Sequence, residues 1–217
     1  TKPAQQSASI LRSIGIQPDI LICRCEHPMS EEHFRKLALY CNVERRAVVE
    51  EKDVQHSIYE VPLELHKQGL DNLVLDLLKV QARQPDLAAW SRMINAVTSA
   101  KKNVEIAVVG KYITLKDSYK SIYEAIDHAG FAHHTRVTVR RVDAEDVEKH
   151  GAAKLLAGIH GLLIPGGFGT RGIEGKLLAI EHARTRRIPY LGLCLGMQCA
   201  VIEFARNVCK LAGATSE

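Results

Sequence analysis

The sequence lacks long apolar runs and a strong excess of either charge. No uncharged apolar stretch reaches the roughly 20 residues that a membrane-spanning helix needs, and the first residues form no signal-peptide pattern. The 29 lysine and arginine residues are interleaved with 25 aspartate and glutamate residues, which gives a formal net charge of only +4. We therefore expect neither a membrane nor a nucleic acid among the partners of this chain.

The six cysteines lack the spacing of a metal site or of a small secreted disulfide framework. Cys23 and Cys25 share one face of a predicted strand, but no C-x-x-C pair and no suitably spaced histidine accompanies them. We interpret them, together with Cys41, Cys199 and Cys209, as thiols that act as small apolar residues. The sequence thus predicts no metal site in this segment and a reducing, cytoplasmic location.

Segments with strand and helix character alternate along the chain, which favours an α/β fold. A chain of 217 residues, 46% of them hydrophobic, can form one or two packed domains. We predict two domains, at residues 1–80 and 103–217, joined by a linker at 81–102. Part of this linker should be held in place by the packing of Trp90. Each domain should contain a mostly parallel sheet with flanking helices, and ligands should bind at the carboxyl ends of the strands.

The alternation is most regular in the second predicted domain, which begins with a strand over 104–109. Asp117 is predicted to cap the next helix, whose apolar residues are spaced three and four apart, and Gly130 to end it. A strand over 136–142 and one helix over 144–156 should follow.

The stretch from Ile188 to Ala200 predicts a sharp strand-to-helix turn with Cys194 at its tip. Its apolar residues first have strand character, then form Gly-Leu-Cys-Leu-Gly, and then follow helical spacing. Gly192 and Gly196 remove the side chains that would collide in so tight a turn. The N–H groups and positive end of the following helix favour a thiolate, so Cys194 is the predicted nucleophile.

A second glycine-rich turn, Pro165-Gly166-Gly167-Phe168-Gly169, follows another short apolar strand. Its backbone N–H groups can approach a developing oxyanion because no side chains intervene. We predict that the N–H groups of Gly167 and Leu195 form an oxyanion hole. Either motif alone is weak evidence, because glycine-rich turns are common and G-x-C-x-G also occurs in other hydrolases and thiol proteins. In this order, each after an apolar strand, they indicate amide hydrolysis by a thiol.

Together the two motifs resemble those of the class I glutamine amidotransferases. The forms P-G-G-F-G and G-L-C-L-G-M-Q are more similar still to the amidotransferase domain of the CTP synthase family. The resemblance implies a flavodoxin-like fold for the second domain. The family's glutamine-binding positions correspond to Gly167, Leu195, Gly196, Met197 and Gln198. The resemblance also implies that Glu217, in a stretch similar to the family's S-x-E segment, holds the α-amino group of glutamine.

The start of the chain resembles the C-terminal part of the synthetase domain of the same family, which implies a P-loop-like fold. The matching segments are Lys2-Pro3-x-Gln5, Gly15 to Arg24, Lys36 to Asn42 and Lys52-Asp53-Val54. The family's UTP site, where CTP also binds as an inhibitor, corresponds to Thr1, Lys2, Pro3, Ala4, Gln5 and Lys36. Its ATP site corresponds to Lys52, Asp53 and Val54. Lysines suit phosphates, although each one alone is more often a solvated surface charge.

The resemblance implies that ATP phosphorylates the 4-oxygen of UTP and that ammonia from glutamine displaces the phosphate. It also implies Mg²⁺ with ATP, a homotetramer, and activation by GTP near a loop similar to Lys111-Tyr112 and Tyr119-Lys120. The family has a phosphate-binding loop with Mg²⁺-binding carboxylates upstream of this sequence, and a histidine–glutamate pair far downstream of its cysteine. No histidine follows Cys194 here, so we expect a piece of a longer protein that lacks the general base.

Three interpretations stay open on the sequence alone. The chain is part of a glutamine-dependent CTP synthase, or a stand-alone cysteine hydrolase of the same fold that acts on glutamine or γ-glutamyl substrates. It is otherwise a non-catalytic fragment that binds nucleotide or assembles with other copies. A stand-alone hydrolase has no use for Lys2, Lys36 and the Lys52-Asp53-Val54 set, which favours the first interpretation.

Overall fold

The computed structural model describes residues 1–115 and 117–216 of the chain. It divides into two compact units, Thr1–Thr98 and Ser99–Glu217. Each unit contains one sheet with helices packed on it, and the strand pairs of both sheets are parallel, which confirms the predicted α/β class. Within the described ranges, none of the helices combines the length and the apolar content needed to cross a bilayer.

The first unit is built on a two-stranded parallel sheet. Its elements are α1 (Lys2–Ser13), β1 (Leu21–Cys25), α2 (Glu31–Cys41), β2 (Val48–Lys52), α3 (Val61–Lys67), α4 (Leu70–Leu78) and α5 (Ala88–Thr98). The core between α1, α2 and the sheet is formed by Ala8, Leu37, Cys41 and Val48. Positions along β1 alternate between half-buried and exposed, so helices cover only one face of this strand.

Helix α5 packs within the first unit through its tryptophan. The Trp90 indole N–H donates a 2.7 Å hydrogen bond to the carbonyl oxygen of Tyr59. The two rings meet edge to face with their centroids 5.9 Å apart, an arrangement that aromatic pairs favour. The boundaries of the three predicted segments, 1–80, 81–102 and 103–217, stay a prediction.

The second unit is a four-stranded parallel sheet between helices. Its elements are β3 (Lys102–Gly110), α6 (Lys120–Ala132), β4 (Thr135–Asp143), α7 (Ala144–His150), α8 (Ala152–Leu155), β5 (Gly161–Ile164), α9 (Ile173–Arg186), β6 (Tyr190–Gly192) and α10 (Leu195–Asn207). The strand order is β4-β3-β5-β6. Numbered within the unit this is 2-1-3-4, the order of a flavodoxin-like doubly wound sheet. The carboxyl ends of all four strands therefore lie at one edge.

Two helix boundaries in the second unit differ from those predicted. Helix α6 begins at Lys120 with Tyr119 as its N-cap residue, so Asp117 does not cap it. Gly130 lies inside α6 and does not end it; a β-carbon there would lie 2.7 Å from the carbonyl oxygen of Thr135, so β4 packs too close for a side chain. The single helix predicted over 144–156 is broken at Gly151, whose φ of 83° is left-handed.

A close contact between helices α7 and α9 also depends on a glycine. A β-carbon built at Gly175 would lie 1.9 Å from the carbonyl oxygen of Ala144. The Gly175 amide donates a 2.9 Å hydrogen bond to the Glu148 carboxylate. The two helix backbones therefore approach to a distance that excludes every other residue at position 175.

Helices α9 and α10 are joined by an ion pair in which one partner is buried. The Arg184 guanidinium contacts both carboxylate oxygens of Glu203, at 2.7 to 3.1 Å, and the Glu203 side chain is only 1% exposed. Asn207 donates a further 2.9 Å hydrogen bond to the same carboxylate. Burial raises the pKa of Glu203, but the hydrogen bonds from Arg184 and Asn207 outweigh it and hold the pKa below its ordinary value.

We expect Gly175→Ala to destabilise the second unit by about 2 kcal/mol, because the overpacking cost exceeds the gain of about 1 kcal/mol in helix propensity. Urea unfolding followed by far-UV circular dichroism measures this change. The matched control is Gly213→Ala, since a β-carbon at Gly213 meets no atom within 4 Å. Equal midpoints for the two variants would contradict the contact with Ala144.

We expect the second unit to lose stability as the pH falls below the unfolded-state pKa of glutamate, about 4.3. The folded pKa of Glu203 is lowered, so its contribution is present above that value and disappears as the carboxylate protonates in the folded state. Glu203→Gln should cost about 2 kcal/mol at neutral pH and flatten the pH dependence between about pH 5 and 3. Urea midpoints across that range test this, with the exposed Asp146→Asn as control. If the pH dependence of the urea midpoint is the same with and without Glu203→Gln, the proposed contribution of Glu203 is refuted.

Candidate active site

Cys194 occupies a strained turn between β6 and α10. Its backbone angles, φ 52° and ψ −109°, are ones that a residue with a side chain rarely adopts. The Leu193 amide donates a 2.9 Å hydrogen bond to the carbonyl oxygen of Ile164, which ties the turn to the end of β5. The exposed Cys194 thus lies at the carboxyl edge of the sheet and at the N-terminus of α10.

Two glycines and a tyrosine hold this turn in shape. A β-carbon at Gly192 would lie 2.5 Å from the carbonyl carbon of Gly196, and one at Gly196 would lie 2.1 Å from the Ile164 carbonyl oxygen. Both distances are too short for any side chain, which agrees with the roles predicted for these glycines. The Tyr190 hydroxyl donates a 2.6 Å hydrogen bond to the Gly196 carbonyl oxygen. Burial raises the pKa of Tyr190, which keeps this donor protonated.

The glycine-rich turn after β5 lies beside Cys194. A β-carbon built at Gly166 would lie 3.5 Å from Cβ of Cys194, and one built at Gly167 would lie 3.7 Å from Cδ2 of Leu195. Among the described residues, the amides of Gly167 and Leu195 donate no hydrogen bond to the turns and caps around them. The structure therefore brings the predicted nucleophile and the two predicted oxyanion donors together. Their roles in a reaction stay predictions.

Two buried lysines contact the same turn, and the sequence pattern assigned neither to it. Lys111, directly after β3, is 8% exposed, and its ammonium donates a hydrogen bond to the carbonyl oxygen of Phe168. Lys176, on the first turn of α9, is fully buried, and its Nζ would lie 3.7 Å from a β-carbon built at Gly167. The sequence alone offered no signal for this role, because the burial of both lysines depends on tertiary contacts.

The remaining predicted glutamine-binding residues follow Cys194 on the first turn of α10. Gly196 is buried, whereas Met197 and Gln198 are exposed beside the turn. Glu217 lies outside the described residues. Binding of glutamine by these residues stays a prediction.

In the described part of the chain, the Cys194 thiol has no hydrogen-bonded histidine, and residues 195–216 contain none. Groups of three or more histidine, cysteine, aspartate or glutamate side chains arranged to hold a metal ion are likewise absent from the described ranges. This arrangement can supply a nucleophile and backbone donors for an oxyanion. It does not supply the base that removes the thiol proton.

In the first unit, a cavity of about 750 Å³ lies between α1, β1 and the loop before α2. Thr1, Pro3 and Ala4 line it, whereas Lys2, Gln5 and Lys36 are not among its described lining residues. Lys36 instead forms a 2.6 Å ion pair with Glu32, one turn earlier on α2. The structure thus brings only part of the predicted UTP site to this cavity.

The predicted ATP-site residues lie at the carboxyl end of β2 and in the loop after it. Lys52 is the last residue of β2 and is exposed. The Asp53 carboxylate accepts a 2.9 Å hydrogen bond from the Arg24 guanidinium of β1. Val54 follows and is half-buried. The position suits ligand binding, since the carboxyl ends of parallel strands are the usual binding edge.

A strained cysteine turn beside a glycine-rich turn, at the carboxyl edge of a 2-1-3-4 sheet, is the geometry of a nucleophile elbow, as the resemblance to class I glutamine amidotransferases implies. Comparison with known families supports this, because residues 114–216 match the model described as "Glutamine amidotransferase class-I". Residues 1–80 match a different model, described as "CTP synthase N-terminus".

The whole chain is similar to curated proteins named CTP synthase. It is 50% identical over 216 residues to that of Desulfitobacterium hafniense (strain Y51) and 52% identical over 217 residues to that of Geotalea uraniireducens (strain Rf4). In both cases the alignment covers 100% of this chain but 40% of the relative. The chain is therefore similar to CTP synthases along its whole length and spans about two-fifths of the length of these relatives.

Among solved structures, the chain is similar to one described as "Trypanosoma brucei CTPS - glutaminase domain with bound acivicin". It is 44% identical, with a TM-score of 0.49, and the match covers 52% of this chain and 45% of that one.

The strained backbone of Cys194 predicts that a glycine variant is more stable than an alanine variant at this position. We expect Cys194→Gly to be more stable than Cys194→Ala by about 1 kcal/mol, because glycine adopts a φ of 52° without steric cost. At an unstrained position glycine would instead be the less stable of the two. Urea unfolding of both variants decides the sign, and an alanine variant of equal or greater stability would show that the turn carries no strain.

Proposed function

We propose that this chain contributes to a glutamine-dependent CTP synthase, in which the second unit releases ammonia from glutamine and the first unit helps to bind nucleotides. The observation that carries the proposal is Cys194, held in a strained turn next to the amides of Gly167 and Leu195, which donate no hydrogen bond within the described residues. Sequence identity of about 50% that extends through both units supports the link between the two activities.

In the proposed half-reaction, the Cys194 thiolate attacks the carboxamide carbon of glutamine. A carbon–sulfur bond forms, and the carbonyl oxygen becomes an oxyanion that accepts hydrogen bonds from the amides of Gly167 and Leu195. When the oxyanion collapses, the carbon–nitrogen bond breaks and ammonia leaves with the proton taken from the thiol. Water then hydrolyses the γ-glutamyl thioester to glutamate and restores Cys194.

The proton transfers need a general base, and we infer that it lies in the part of the relatives that this chain does not span. The family resemblance assigns this role to a histidine oriented by a glutamate, both downstream of the cysteine. Placing the base outside the chain agrees with the absence of a histidine beside the Cys194 thiol in the described residues. Glutamine binding would be completed by Gly196, Met197, Gln198 and Glu217.

For the first unit we propose binding of UTP, with CTP as the competing inhibitor, at Thr1–Gln5 and Lys36, and of ATP at Lys52, Asp53 and Val54. The cavity beside α1 and the position of Asp53 at a strand end support this. The described residues offer no cluster for the Mg²⁺ that accompanies ATP in the family, so we assign no metal-dependent step to this chain. GTP activation and a homotetramer are proposed from the family alone, and a cytoplasmic location is proposed from the cysteine pattern.

The competing proposal, a stand-alone glutamine or γ-glutamyl hydrolase, explains only the second unit. It leaves residues 1–80, which match the CTP synthase N-terminus, without a role.

Reaction with a chloromethyl ketone analogue of glutamine tests the proposal. We expect one adduct, on Cys194, that free glutamine prevents and that Cys194→Ala abolishes, since the analogue must occupy the glutamine site before it alkylates. Intact mass and peptide mapping measure this. Cys209→Ala is the matched control, because Cys209 is also an exposed thiol, and it should react as the unmodified chain does. Adducts shared between Cys194 and Cys209, or no protection by glutamine, would refute the proposed glutamine site.

A further inference from the structure

Lys176 is a buried amine next to the proposed oxyanion hole, and the half-reaction above gives it no role. Its side chain has 0% relative exposure although it carries an ionisable group. It follows Gly175, whose close packing against α7 fixes this turn of α9. Its Nζ would lie 3.7 Å from a β-carbon on Gly167. The lysine is therefore placed by a rigid contact and reaches the glycine-rich turn.

The Lys176 amine has no hydrogen-bond partner among the described residues, which is costly for a buried polar group. The groups that face it are Cys199 of α10 and Lys111 after β3. Burial lowers the pKa of Lys176, the charge of a Cys199 thiolate would raise it, and the Lys111 ammonium lowers it further. Methionine would fill the same space at a lower cost. Such departures from local packing rules concentrate at functional sites.

The neighbouring Lys111, in contrast, has a hydrogen-bond acceptor in this turn. Its ammonium donates to the Phe168 carbonyl oxygen, and its Nζ would lie 3.8 Å from a β-carbon on Gly169. Lys176 reaches the preceding part of the turn, at Gly167, but without a carbonyl to bind. Lys111 thus anchors the turn. The Lys176 amine makes no hydrogen bond within the described residues, although it lies next to the proposed oxyanion donor.

We propose that Lys176 is a positioning residue for the oxyanion hole, whose ammonium packs against Gly167 and adds positive potential at the Gly167 amide. The inference rests on the proposed hydrolysis of glutamine. Lys176 acts through the turn and does not touch the substrate. Positive potential from a buried group is screened less than that from a surface lysine, so it stabilises a developing oxyanion more strongly.

Two alkylating probes distinguish an effect on the glutamine site from an effect on the intrinsic reactivity of the Cys194 thiol. With the chloromethyl ketone analogue of glutamine, the Cys194 sulfur bonds to the methylene carbon, the carbon–chlorine bond breaks and chloride leaves. The thiol proton passes to solvent. The ketone oxygen of this probe would occupy the oxyanion hole. Iodoacetamide reacts at the same sulfur, with loss of iodide, but has no glutamine portion to hold it in the site.

We expect Lys176→Met to raise the thermal midpoint of the second unit by about 3 °C, because an unpartnered buried amine is removed. The same variant should react with the chloromethyl ketone about tenfold more slowly, and with iodoacetamide at a rate within about twofold of the unmodified chain. Lys176→Gln, which keeps a polar end group but carries no positive charge, should react as slowly as Lys176→Met. Lys154→Met makes the same chemical change at an exposed site and should alter neither quantity.

Two outcomes would overturn the proposal. A more stable Lys176→Met chain with an unchanged chloromethyl ketone rate would mean that the buried amine has no role in the hole. A less stable chain in which both alkylation rates fall together would mean that Lys176 serves the fold alone. If the unmodified chain shows no glutamine-protected labelling, the proposed glutamine site fails first, and that result is distinct from either outcome for Lys176.

Discussion

The candidate site depends on one backbone-to-backbone contact, between Gly196 of α10 and the Ile164 carbonyl at the end of β5. A helix can begin this close to a strand only when no β-carbon intervenes, since one at Gly196 would lie 2.1 Å from that oxygen. The contact places the start of α10 at the carboxyl edge of the sheet. Cys194 must then turn with a left-handed φ, because the chain has only two residues between β6 and α10 in which to change direction.

Much of the fold could be predicted because strand and helix periodicity is a local property. The alternation of strands and helices from β3 to α10 agrees with the sequence prediction. Helix boundaries were less predictable where tertiary contacts decide them. Gly130 has the residue type of a helix end, yet it is present because β4 passes within contact of α6. No sequence window reveals that approach.

The same distinction applies to the candidate site. Cys194 and Gly167 belong to short motifs whose chemistry can be interpreted from residue type and spacing, and the structure brings them together. The contacts of Lys111 and Lys176 with the glycine-rich turn could not be predicted from the sequence. Both depend on burial against a turn that is distant in sequence from Lys111 and several residues before Lys176. In the first unit, Lys36 has the residue type of a phosphate ligand, but its nearest charge is Glu32 on its own helix.

The edge-to-face pair of Trp90 and Tyr59 has a spectroscopic consequence. Trp90 is the only tryptophan in the sequence, and it lies in the first unit. Its fluorescence therefore reports on the surroundings of α5, whereas far-UV circular dichroism reports on helices in both units. Two compact units need not lose their structure in one cooperative step. Emission and ellipticity recorded on the same sample would thus resolve whether the order of the first unit persists when the second has melted.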